Sequence, residues 1–151
     1  MARCVIGLAL VVFMASACST EVSPNESLSS LKTQQERLGD IDDQAAALDL
    51  ERDDALDQAG DLRSAYADLL AESREKRPDG ATGSEAVVWD KFIEITELRL
   101  EAAAALVDGL SSGDLASFRR TVERANARTA QLNREFNDPL ADFRNDEPPE
   151  G

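Results

Sequence analysis

From Leu31 to Tyr66, mostly apolar side chains recur every seven residues, and a second set runs three residues behind the first. Leu31, Leu38, Ala45, Arg52, Ala59 and Tyr66 form one row; Ile41, Leu48, Ala55, Leu62 and Leu69 form the other. Two rows offset in this way make the a/d seam of a packed helix, and the spacing is foreign to a strand. Leu56 and Leu70 widen the stripe in its second half, which suits a helix covered by two neighbours. The boundaries are marked too. Ser23-Pro24-Asn25-Glu26 reads as a capping box with proline at the first helical position, and Arg77-Pro78-Asp79-Gly80 as a stop. A first helix is therefore predicted over 24–76, with Gly39-Asp40 as its weak point.

Two further helices follow. Thr82-Gly83-Ser84-Glu85 is a second capping box, opening a helix over about 83–110 whose stripe is Val88, Phe92, Ile95, Arg99, Ala102 and Leu106. Ser111-Ser112-Gly113-Asp114 is a turn and cap. The third helix, 114–136, spaces Leu115, Phe118, Val122, Ala125, Thr129, Leu132 and Phe136 alternately by three and four, and Asn137-Asp138-Pro139 is expected to end it. Leu140 and Phe143 could fold back, and 137–151 reads as an acidic tail. Short turns join antiparallel neighbours, so the predicted fold is all-α: an antiparallel three-helix bundle with coiled-coil-like packing. Counting back from the turns sets Arg52 level with Asp108 and Arg99 level with Glu123, two expected ion pairs.

In that register helices two and three cover the first helix only from about residue 46. Residues 24–45 then overhang by about 33 Å, and their seam of Leu31, Leu38 and Ile41 lacks a partner within the chain. An isolated helix of that length is marginal in water. It frays into a stalk, or a second chain covers it, or Gly39 bends it back.

The first 23 residues concern location. Arg3 precedes a continuous apolar run, Val5 to Met14, and small residues lead to Ala15-Ser16-Ala17-Cys18. This is the layout of an export signal over 1–17, and the run is far short of the roughly 20 residues a membrane-spanning helix needs. Ordinary signal peptidase would cut between Ala17 and Cys18 and release the product. The same residues resemble the lipobox of bacterial lipoproteins. That resemblance, confined to the first 18 residues, implies cleavage at the same bond, a diacylglycerol on the Cys18 thiol, and a palmitate-type acyl anchor. Cysteine arithmetic favours the lipid: Cys4 leaves with the signal, so Cys18 would be a lone cysteine in an exported chain. Residues 18–23 would then be a lipidated tether, facing the periplasm or the cell exterior.

Composition excludes several functions. Thirty acidic residues against 16 basic ones give a net charge of −14, which disfavours nucleic acid and anionic lipid. Histidine is absent, removing the usual general base and the commonest transition-metal ligand. Asp49, Asp53 and Asp57 recur at i, i+4 and would share a helix face able to hold a cation weakly, but the EF-hand loop pattern is missing. The simpler expectation is charge balance between neighbours: 14 acidic and 6 basic residues over 24–76 face 3 acidic and 5 basic over 114–136. Trp89 is expected to half-bury as a cap on the bundle end. Without a catalytic motif, cofactor signature or metal set, the expectation is a non-catalytic, lipid-anchored cell-envelope protein. It would touch the membrane through Cys18 and act as an interaction or spacer module, meeting a protein partner or a second copy along Leu31, Leu38 and Ile41. The alternative is a module binding a small ligand or divalent cation, accessory to envelope transport or sensing.

Overall fold

The computed structural model describes residues 26–79, 81 and 83–145, with side chains except those at 26, 28 and 136–145. The signal segment, the Ala17/Cys18 cleavage and acylation site, Ser23, Pro24 and Asn25, Thr82, and the end of the tail lie outside the described residues. So do the side chains of Phe136, Leu140 and Phe143.

The bundle has four helices rather than three: α1 (Glu26–Ala46), α2 (Ala55–Lys76), α3 (Gly83–Ser112) and α4 (Ala116–Asn145). Among the described residues there is no strand. The extra helix arises because the expected 24–76 helix reverses at 47–54. There the backbone leaves the helical bonding pattern. The Arg52 and Ala55 N–H groups donate to the carbonyls of Asp49 and Arg52, at 3.3 and 3.1 Å, and Asp49 Oδ1 accepts the Glu51 N–H at 3.0 Å. Aspartate competes in this way with helical bonding, and the segment holds Asp49, Glu51, Asp53 and Asp54, whose like charges repel at helical spacing. Asp54 closes the turn by accepting from the Arg52 guanidinium at 2.9 and 3.0 Å and from Gln58 at 2.7 Å. Gly39 does not break the chain; it sits exposed inside α1.

The reversal corrects the overhang. Folded back, α1 lays Leu31 and Ile41 into the core at 4% and 7% exposure, with Leu38 packed against them. Burying such a side chain is worth roughly 1.5–3 kcal/mol, a gain the straight helix would forgo. The seam of Leu31, Leu38 and Ile41 is thus filled by the chain's own α2 and α3, and offers no free surface to a partner. Trp89 is corrected by the same movement. It is fully buried, 1% exposed, and its indole N–H donates to Ser27 Oγ at 3.0 Å.

The stripes otherwise face inward as expected. Ala59, Leu62, Tyr66, Leu69 and Leu70 of α2 are buried, as are Val88, Phe92, Ile95 and Leu106 of α3 and Phe118, Ala125 and Leu132 of α4, although Leu56 stays exposed. The turn at Arg77-Pro78 forms, with Arg77 in an extended conformation and its N–H on the Ser73 carbonyl at 3.0 Å. Gly113 supplies the positive φ (75°) that ends α3, and Asp114 Oδ1 caps α4 through the Ala116 N–H at 2.9 Å. At its far end α4 continues through Pro139 to Asn145. A proline lacks the N–H for one rung and its ring crowds the carbonyl four residues earlier, which can kink a helix without ending it.

Successive helices are antiparallel, as the cross-helix pairs Gln34–Glu72, Arg74–Glu97 and Lys91–Glu135 require. The central member is α3. It packs on α2, on α4 and, in parallel, on α1; among the described residues no Cα of α4 comes within 8 Å of α1 or α2.

Candidate ligand-binding cavity

Because the described backbone of α4 runs close to α3 and not to α1 or α2, space remains between it and the α1–α2 turn. It forms a cavity of about 410 Å³. Leu48 and Leu50 of the turn, Leu62 of α2, Leu106 of α3, and Phe118 and Val122 of α4 give it apolar walls. Small residues, Ala45, Ala102, Ala103 and Ala125, keep it open. Exposed Ala46, Asp49 and Glu51 form the rim.

The polar groups of this region come one from each helix: Asp42, Tyr66, Arg99 and Asn126. Arg99 is 9% exposed. Its Nε donates to Asp42 Oδ2 at 3.3 Å, with Oδ1 equally near, and its Nη1 donates to Asn126 Oδ1 at 3.3 Å. The Tyr66 hydroxyl donates to Asp42 Oδ1 at 2.7 Å. Burial, reinforced by the negative charge of Asp42, pushes the Tyr66 hydroxyl far above its ordinary range. Tyr66 is therefore a permanent donor to Asp42, and Asp42 the counter-ion of Arg99. Among the described residues these bonds leave Arg99 Nη2 and Asn126 Nδ2 unengaged. Tyr66, Arg99 and Asn126 line the cavity. Such an arrangement could orient a guest through donors, because the Asp42 carboxylate is engaged by Tyr66 and Arg99 and the Tyr66 hydroxyl proton is held.

Both expected ion pairs are corrected. Arg99 meets Asp42 because the reversal brings α1 alongside, and Glu123 is exposed; Arg52 pairs with Asp54 inside the turn instead of reaching Asp108. Charge balance also runs differently. Two α4 arginines pair with α3, Arg124 with Glu101 and Arg128 with Glu94, the latter at 2.6 Å. Asp49, Asp53 and Asp57 are divided between turn and helix and share no helix face; among the described residues no three acidic, histidine or cysteine side chains gather as a metal site.

Asp42 and Asn126 went unnoticed in the sequence because they flank the stripes instead of interrupting them. Arg99 and Tyr66 did leave a signal, a charge and a hydroxyl within apolar rows. Comparison with protein families, curated proteins and solved structures finds no match for this chain. Among the described residues no helix is long and apolar enough to cross a membrane.

Proposed function

We propose that this chain is a non-catalytic helical module that binds a small, mainly apolar ligand, and that it works at a bacterial membrane to which acylated Cys18 tethers it. The observation that carries the ligand reading is the cavity. Small-molecule sites fall at about 300–1,000 Å³, with apolar walls and a few converging polar groups, and this one has both. The anchor rests on the export signal and the lone Cys18 of the processed chain. The interaction-or-spacer reading drew on an uncovered seam; with Leu31 and Ile41 buried, that support is gone.

Two measurements test the two halves. N-phenyl-1-naphthylamine, a neutral dye that brightens in apolar surroundings, should bind the purified full chain carrying Cys18→Ser, which cannot be acylated there. Filling the cavity with Ala102→Phe should abolish the signal while the helical circular dichroism persists. A dark dye with the unfilled protein, or undiminished fluorescence with the filled one, rejects the ligand reading. Separately, radiolabelled palmitate should enter the parent protein in growing bacteria and not the Cys18→Ser form; equal labelling of both removes the anchor.

A further inference from the structure

This inference rests on the ligand-binding reading and narrows it. We infer that the cavity takes a neutral acyl compound, its hydrocarbon chain on the apolar walls and its ester or amide carbonyl accepting from Arg99 and Asn126, and that it discriminates against the free carboxylate of the same chain.

Three observations lead there. Among the described residues the unengaged polar atoms of the Asp42–Tyr66–Arg99–Asn126 group are donors, Arg99 Nη2 and Asn126 Nδ2, whereas Asp42 and Asn126 Oδ1 already receive hydrogen bonds and the other carboxylates of the lining, Asp49 and Glu51, are exposed. A ligand that satisfies the site therefore brings an acceptor. The charge of Arg99 is also already matched. Asp42 lies against it in a region where both side chains are shielded, 10% and 19% exposed. A second carboxylate would share one guanidinium with Asp42 and leave an uncompensated negative charge where solvation is poor, which is costly. A carbonyl brings the same lone pairs without that cost. Finally, exposed Asp49 and Glu51 line the cavity, so an anion approaches against their field.

The walls and the donors are arranged for one molecule with two ends. Leu62, Leu106, Phe118 and Val122 offer no polar side-chain atom, and Arg99 and Asn126, hydrogen-bonded to each other, each add a donor group to the lining. The bonds that Arg99 makes, at 3.3 Å, are long for N–H donors. An incoming carbonyl therefore need not displace a tight interaction.

The test is competition against bound N-phenyl-1-naphthylamine on the full chain carrying Cys18→Ser, at pH 7.5, with methyl octanoate, N-methyloctanamide, octanoate and octane. The ester and the amide should displace dye at roughly tenfold lower concentration than octanoate, and lower than octane. In Asp42→Asn the guanidinium loses its counter-ion, so octanoate should gain by roughly tenfold and the preference should close or invert. Asn126→Leu, which leaves the Arg99–Asp42 pair in place, should erase the advantage of the ester over octane, and serves should Asp42→Asn fail to fold. Octanoate equal to or better than methyl octanoate in the parent protein overturns this inference, as does octane matching the ester, while dye binding continues to support the ligand reading. A protein that binds no dye at all overturns both.

Discussion

A carboxylate that is partly withdrawn from water loses hydration, and Asp42, 19% exposed, offsets that loss from two sources, the Tyr66 hydroxyl and the Arg99 guanidinium. Asp42→Ala leaves Arg99 charged, shielded and unmatched, so it should destabilise by about 3–5 kcal/mol. Combining Asp42→Leu with Arg99→Met should recover most of that loss, because replacing both partners by apolar groups is nearly neutral; urea midpoints of the single and double variants check the cycle. Glu72 is a different case. It is exposed enough for water to screen it, yet hydrogen bonds from Lys76, then Arg37, then Gln34 hold its carboxyl down to about 2. The unfolded chain, with a value near 4.5, takes up that proton first as pH falls. The stability contributed by Glu72 is therefore complete above pH 4.5 and drains away towards pH 2. In Glu72→Gln the acid limb of a stability–pH profile should be shallower across that window, with little difference at neutral pH.

At the scale of the element, α1 is held by packing rather than by its own propensity. Leu31→Ala should cost about 2–5 kcal/mol, the penalty of a core truncation, against less than about 0.5 kcal/mol for an exposed leucine on a stalk; a thermal or urea melt distinguishes the two. The stripes were legible because an inward row keeps its 3.6-residue period whatever the chain does between helices. For the same reason the reversal at 47–54 was not. A helix and its hairpin partner turn their rows towards one shared core, so the seven-residue repeat ran from Leu31 to Tyr66 without registering a change of direction. The local chemistry did carry a warning in Asp49, Glu51, Asp53 and Asp54 and in Arg52, the one charged residue on the row. The cavity was hidden for a related reason. Its polar corner joins residues from four helices, Asp42 to Arg99 and Arg99 to Asn126 among them, and those neighbours exist only once the chain has doubled back.

In the whole molecule the attachments are unequal. Two neighbours hold α1, the reversed turn binds it to α2, and α3 carries contacts on several sides, but among the described residues the backbone of α4 lies close to α3 alone of the helices, with Phe118 sharing a core cluster with Ala59 of α2 and Leu48 and Leu50 packed against it. A helix with one supporting neighbour opens before the rest does. Backbone amides of α4 beyond Ala125 should therefore exchange with deuterium faster than those of α3, and filling the cavity with an acyl ester should slow the amides around Val122 and Asn126 most. A guest enters and leaves past the rim that Ala46, Asp49 and Glu51 form, and each opening of α4, which walls the cavity with Phe118 and Val122, widens that way out. How long it stays would then be set by two clocks, its own hold on the walls and the beat of the helix beside it, so stiffening α4 should lengthen the stay of every guest.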